Sequence, residues 1–264
     1  MKVRRAVQAN LTPAPLLEVE NVSKNFLGVR ALQEVSFTIP RGSLISLIGP
    51  NGSGKTTMFN CISGFLKLDG GRVRFKGEDI SNMRPDKVAL RGLRRTFQDV
   101  RTFNEMTVLE NLMTALQQHQ EENLVARLIG TRQIQQYEEE GLDRAHKLLE
   151  MVDLTRLRHL KARHLSYGQR KLLEFVTALM PDPDLIMLDE PAAGVSGEMV
   201  DRMKRYIMMQ HEQGKTVLVV EHNMRVVMDI SEHIIVLDYG RKIAEGTPRE
   251  VQDNPLVREA YFGH

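Results

Sequence analysis

The sequence predicts an α/β fold in which a mixed sheet carries a phosphate-binding loop and a helical subdomain is inserted into the chain. Three observations carry this. A buried-strand pattern at Ser43-Leu44-Ile45-Ser46-Leu47-Ile48 runs into a Gly-rich turn, and Thr56-Thr57-Met58-Phe59-Asn60-Cys61-Ile62 opens a helix. A second apolar run, Leu185-Ile186-Met187-Leu188, follows the Pro181-Asp182-Pro183-Asp184 turn and ends in Asp189-Glu190. Between them the pattern is helical from about Thr107 to Leu160, and strand and helix patterns alternate again from Leu165.

The turn reads Gly49-Pro50-Asn51-Gly52-Ser53-Gly54-Lys55-Thr56-Thr57 and satisfies G-x-x-x-x-G-K-[ST]. Its glycines let backbone N–H groups close around phosphate oxygens, while Lys55 supplies a cation and Thr56 a metal ligand. The helix that follows aims its positive end at the same place. Strand, loop and helix stand in the required order, so a nucleoside triphosphate with Mg²⁺ is the expected ligand.

In the insertion, Thr107 and Glu110 are spaced as a capping box, and Ile134, Tyr137, Ala145, Leu148, Leu149 and Val152 mark one apolar face of the longest helix. Glu138-Glu139-Glu140 lies mostly off that face and is expected to be solvated. Ser166 and Gln169 form a second capping pattern ahead of Leu172-Leu173-Glu174-Phe175-Val176. A cap is all that this spacing requires; Ser166, Gly168 and the helix end can also make a second anion site.

Asp189 and Glu190 stand at the carboxyl end of a strand, where ligands of open parallel sheets sit. There Asp189 can reach Mg²⁺ through water, and Glu190 can polarise an attacking water. Thr216-Val217-Leu218-Val219-Val220 is a further strand, followed by Glu221-His222. Ile234 to Leu237 and the stretch from Arg241 make a strand-turn-strand that completes the sheet and breaks at Glu245-Gly246-Thr247-Pro248. One phosphate loop and no internal repeat mean one nucleotide-binding unit.

Composition excludes several classes. The 264 residues are 42% hydrophobic, ordinary for a chain with a full core. No apolar run approaches the roughly 18 residues that span a bilayer, and the basic opening Met1 to Asn10 lacks the apolar region of a secretory signal. A lone cysteine, Cys61, rules out an internal disulfide and reads as a small buried hydrophobe. A net charge of +2 is too small for a nucleic-acid partner. Arg91, Arg94, Arg95 and Arg101, the densest basic stretch, read as a solvated loop face.

Taken together, the phosphate loop, Leu165-Ser166-Tyr167-Gly168-Gln169 and Asp189-Glu190, in this order, resemble the ATP-binding cassette (ABC) ATPases, a P-loop NTPase family whose loop is the Walker A motif. The resemblance runs from about Leu16 onward. It implies an N-terminal extension at 1–15, a core at 16–98 and 165–264, and a helical and signature subdomain at about 99–180. By resemblance, Gln98 touches Mg²⁺ and the attacking water, His222 contacts the γ-phosphate and Phe26 stacks on adenine. Residues Leu165 to Gln169 act on ATP held by a second ABC ATPase, the same or a different chain. The stretches Phe97 to Phe103 and Met106 to Leu112 line a groove for the coupling helix of a transmembrane permease.

Arg95-Thr96-Phe97-Gln98, Pro191-Ala192-Ala193-Gly194, Glu221-His222-Asn223-Met224 and the closing Val257 to Gly263 look like the ATPases of branched-chain (hydrophobic) amino-acid importers. Those work at the cytoplasmic face of the inner membrane with two permeases and, indirectly, a substrate-binding protein. Relatives in that subgroup serve urea or short amides or extract lipopolysaccharide, and a non-transport ABC ATPase is a further alternative. Val195-Ser196 departs from the Leu-Asp usual after Gly194 in ABC ATPases and from the Leu-Asn frequent in the subgroup.

Overall fold

In the computed structural model, which describes residues 15–116 and 132–262, the long strands β1 (Pro15–Phe26) and β2 (Val29–Pro40) form an antiparallel hairpin. With β4 (Gly70–Phe75) and β5 (Glu78–Asp79) they make a four-stranded antiparallel sheet in the order β2-β1-β4-β5. The second sheet is built from β3 (Leu44–Ile48), β6 (Leu93–Arg95), β7 (Leu185–Asp189), β8 (Thr216–Val220), β9 (His233–Asp238) and β10 (Arg241–Gly246). Its order is β10-β9-β3-β8-β7-β6, parallel throughout except for β10. The mixed sheet expected from the sequence is therefore present.

Every residue of β3, β7 and β8 is buried. This is why these strands read as unbroken apolar runs: both faces of a parallel sheet are covered. Side chains alternate between two layers, as the pleat demands. Ile45, Leu47, Leu185, Met187 and Leu218 pack toward the antiparallel sheet and α1 (Lys55–Ile62), meeting Leu17, Phe37, Phe59 and Phe75. Leu44, Ile186, Leu188, Val217 and Val219 face the helices on the other side. Each such side chain contributes roughly 1.5–3 kcal/mol of burial. Cys61 belongs to the first layer, 3% exposed, and burial pushes its thiol up to about 11.

After α2 (Pro85–Leu90), the inserted region holds α3 (Val108–Thr114) and α4 (Arg132–Met151) before α5 (Tyr167–Leu179). Ala145, Leu148, Leu149 and Val152 are buried with Val108, Leu112, Leu172 and Phe175 in the same cluster as Ile186 and Leu188. The helical insertion thus shares its core with the sheet. Tyr137 is partly buried against that cluster and Glu138, Glu139 and Glu140 are exposed; the side chain of Ile134 lies outside the described residues, as does most of the 1–15 extension. Both capping boxes form, Thr107 with Glu110 and Ser166 with Gln169, each typically stabilising its helix by about 1 kcal/mol. The chain closes with α6 (Gly197–Glu212), α7 (Met224–Ile230), α8 (Pro248–Asp253) and α9 (Pro255–Phe262). Among the described residues no helix is long and apolar enough to cross a membrane.

The basic stretch differs from its sequence reading. Only Arg101 of the four arginines is exposed. The cause is β6: Leu93, Arg94 and Arg95 pair with Leu185, Ile186 and Met187, which carries Arg95 into the sheet beside Asp189.

Candidate nucleotide site

At the carboxyl end of β3 the chain turns through the Gly-rich loop into α1. Gly49 has no room for a side chain, since a Cβ there would lie 2.1 Å from the carbonyl oxygen of Leu237. Gly54 ends the loop at φ 104° as the residue preceding α1, and no side chain caps that helix. The first-turn N–H groups of α1 are left to an external acceptor. Ser53 Oγ is buried without a hydrogen-bond partner. The Lys55 ammonium, 6% exposed, folds back and donates to the carbonyl oxygens of Gly49 at 2.7 Å and Pro50 at 2.8 Å. Burial lowers its proton affinity, opposed by the charges of Glu190 and Asp189.

Asn51, Gly52, Gly54 and Lys55 of this loop line a cavity of about 520 Å³ together with Thr56, Thr57, Gln98 and Glu190. A larger hollow of about 620 Å³ bordered by Ser23, Arg30, Ser36 and Arg241 contains no phosphate-loop residue. Chemistry rather than size locates the site. Val29, Arg30, Ala31 and Gln33 of β2 and Tyr239 of the β9–β10 turn complete the lining. Phe26 is 41% exposed, with the Lys24 ammonium 5.5 Å from its ring centre, and does not line the cavity.

The carboxyl ends of β7 and β8 and the loop after β6 bring the remaining groups together. Gln98 Nε2 donates to Glu190 Oε2 at 3.0 Å, and His222 Nδ1 lies 3.7 Å from Glu190 Oε1. Asp189, 2% exposed, accepts from the Arg95 guanidinium at 2.7 Å. Arg95 also donates to Asn60 of α1 and to Ser63 just beyond it, with the Phe97 ring centre 5.0 Å away. Burial outweighs this pairing at both ends, raising the Asp189 carboxyl and lowering the Arg95 guanidinium.

A charged layer behind these residues holds the loops. The fully buried Glu221 carboxylate accepts N–H bonds from Ala192, His222 and Asn223 at 3.0, 3.1 and 3.2 Å. Glu174 on α5 accepts from the Phe97 N–H at 3.0 Å. Lys171, also on α5, donates to the carbonyl oxygens of Gln98 and Glu190. Sequence reasoning passed over Arg95, Lys171, Glu174, Glu221 and Tyr239. For Lys171 and Glu174 the signal was there: two charges, three residues apart, bracket apolar neighbours on a helix that is otherwise core.

Residues Leu165 to Gln169 do not reach this cavity. Leu165 is buried, while Ser166 and Tyr167 are exposed at the start of α5. A Cβ at Gly194 would meet the Tyr167 ring at 3.1 Å and one at Gly168 would meet Met199 at 3.1 Å, so this turn lies against the Pro191-to-Gly194 loop and α6 of the same chain. Ser196 is exposed there and its side chain makes no capping bond to α6. Along the expected permease groove, Phe103 and Met106 are exposed, 59% and 38%, whereas Val108 and Leu112 point into the core.

A family model described as "ABC transporter" matches residues 32–193, more than half of the chain. The protein belongs to the ABC transporter family. A second model, "Branched-chain amino acid ATP-binding cassette transporter", matches residues 241–264. Among ABC relatives, the chain is 42% identical over 250 residues to the high-affinity branched-chain amino acid transport ATP-binding protein BraF of Pseudomonas aeruginosa, covering 94% of this chain and 98% of that one. It is 38% identical over 250 residues to LivG of Escherichia coli K12, with the same coverage. The ADP conformation of MJ1267, an ATP-binding cassette of an ABC transporter, superposes with a TM-score of 0.81 at 38% identity, covering 95% of this chain and 99% of that one. The dimeric post-hydrolysis state of the cassette MJ0796 bound to ADP and Pi gives 0.74 at 27% identity, covering 88% and 99%.

Proposed function

We propose that this chain is the ATP-binding and ATP-hydrolysing subunit of an ABC importer for branched-chain or other hydrophobic amino acids. The observation that carries the catalytic part is the Glu190 carboxylate, held between Gln98 and His222 on the wall of a cavity whose floor is the phosphate loop. The match over residues 241–264 and the branched-chain relatives favour the substrate class.

The donor set fits ATP and Mg²⁺. An uncapped helix end, an unpartnered Ser53 hydroxyl and an ammonium bonded only to its own loop suit a polyphosphate. Among the described residues no cluster of three or more His, Cys, Asp or Glu forms a metal cage. Mg²⁺ keeps several waters and needs few protein ligands beside substrate phosphates; here Thr56 and Gln98 would touch it and Asp189 would reach it through water. When bound, Mg²⁺ supplies charge neutralisation at the β- and γ-phosphates. Lys55 exchanges its loop carbonyls for phosphate oxygens, Phe26 stacks on the base, and Gly49 to Thr57 enclose the phosphates. Glu190 takes the proton of the attacking water while Gln98 orients that water and His222 holds the γ-phosphate.

Leu165 to Gln169 do not line this cavity, and on this reading they serve ATP on a second ATPase, as a homodimer or heterodimer. ATP then favours the closed pair, and carrying it from 1:99 to 99:1 needs about 5.5 kcal/mol of differential binding. Exposed Phe103 and Met106 offer apolar contact to a permease, and on this reading the subunit works peripherally at the cytoplasmic face of the inner membrane, with the substrate-binding protein acting indirectly. The test is ATPase turnover of wild type against Glu190→Gln, with dimerisation followed by light scattering. Turnover should fall by about 10²- to 10⁴-fold while ATP still drives the variant into dimers; undiminished hydrolysis in the variant would refute the assignment.

A further inference from the structure

Glu190, the residue after β7, has φ 49°. A left-handed backbone strains a non-glycine residue and persists only where its surroundings over-determine it. Two of the bonds that do so come from the neighbouring strand and the following loop: the Glu190 N–H donates to Val220 O on β8 at 2.9 Å, and its carbonyl accepts from the Ala193 N–H at 3.1 Å. The third comes from a different element. Lys171, in the second turn of α5, donates to the same carbonyl at 3.0 Å and to the carbonyl of Gln98 at 3.3 Å. The residue is 4% exposed, and Glu174, Glu221, Glu190 and Asp189 surround its ammonium with negative charge. A buried ammonium is retained where acceptors and negative charge offset its burial, and both hydrogen bonds of Lys171 go to these backbone carbonyls.

We propose that Lys171 is a positioning residue for hydrolysis, binding the backbones of Gln98 and Glu190 into one unit so that their side chains meet at 3.0 Å. This rests on the reading of Glu190 as general base. Lys171 does not itself line the cavity and bonds to no phosphate-loop residue, reaching the site only through the backbones of Gln98 and Glu190, so its removal leaves the phosphate-loop contacts that hold nucleotide in place. It acts on the geometry of the water-activating pair alone. Since α5 also begins at Ser166, the same helix that presents its N-terminus outward grips the catalytic end of β7 inside.

Three full-length variants test this: Lys171→Met, which removes the donors, Lys171→Gln, which keeps one amide group, and Lys171→Arg, which keeps charge and donors. Thermal melting first identifies the folded variants; if Met does not fold, Gln carries the comparison. Titration with a fluorescent ATP analogue should give affinities within about twofold of wild type. The kcat of Lys171→Met should fall on the order of 10²-fold, the cost of a misplacement of about 1 Å, with Gln intermediate and Arg restored toward wild type. In the double variant Lys171→Met/Glu190→Gln turnover should equal that of Glu190→Gln alone, because both act on one step. A folded Met variant with wild-type kcat, a loss confined to KM, or losses that multiply in the double variant would each overturn the proposal. Failure of the underlying reading is separate: it shows as Glu190→Gln hydrolysing like wild type.

Discussion

Glu174→Gln is expected to change how the stability of this protein depends on pH. The carboxyl is 7% exposed on α5 and burial is the largest influence on it, pushing it from 4.5 up to about 7, against the N–H bonds of Phe97 and Arg101 and the charges of Lys171 and Arg101. A carboxyl raised on folding holds its proton longer in the native chain than in the unfolded one. Between pH 4.5 and 7 the native state binds more protons, so this group makes stability fall as pH rises across that window and plateau above it. The span from 4.5 to about 7 corresponds to roughly 3 kcal/mol at 1.36 kcal/mol per unit. Glutamine has nearly the shape of the protonated acid and its oxygen can accept the Phe97 N–H. Urea unfolding of wild type and variant should therefore agree at pH 4.5 and diverge by up to about 3 kcal/mol at pH 8.5, with the variant the more stable. Parallel curves, or a variant less stable at pH 8.5, would mean that Lys171 and the two N–H groups hold the carboxylate charged and that burial does not dominate.

Two further perturbations separate binding from scaffold. Lys55→Ala should weaken ATP binding itself, because the ammonium that now rests on Gly49 and Pro50 carbonyls is the cation of the loop; isothermal titration giving wild-type affinity would contradict that role. Arg95→Ala should destabilise the fold by about 3–5 kcal/mol, since it strands the buried Asp189 charge, and a urea midpoint within error of wild type would show the pair to be dispensable.

What could be read before the structure was whatever has a local physical signature. The phosphate loop is fixed by backbone geometry at Gly49 and Gly54, both capping boxes are set by spacing alone, and the buried strands announce themselves as continuous apolar runs at Leu44–Ile48, Leu185–Asp189 and Thr216–Val220. Asp189 and Glu190 were legible because a strand end in a parallel sheet points at the ligand side. The charged layer was not. Whether an arginine is solvated or paired depends on which strand its own strand joins, and nothing near Arg95 in the chain states that β6 lies against β7, where Asp189 waits at its end.

The same distinction explains why the strain at Glu190 was hidden. Asp-Glu after an apolar run gives no hint that the second acid must adopt φ 49°, a conformation that sequence signals ordinarily assign to Gly or Asn. On the reading of Glu190 as general base a carboxylate is needed at that position, so the backbone penalty is not avoided by substitution and is met by contacts from elsewhere. They come from Val220 on β8 and Lys171 on α5, some 30 residues downstream and 19 upstream. A site of this kind is therefore specified twice, once by residues that carry the chemistry and again by residues that hold them in a shape they would not choose.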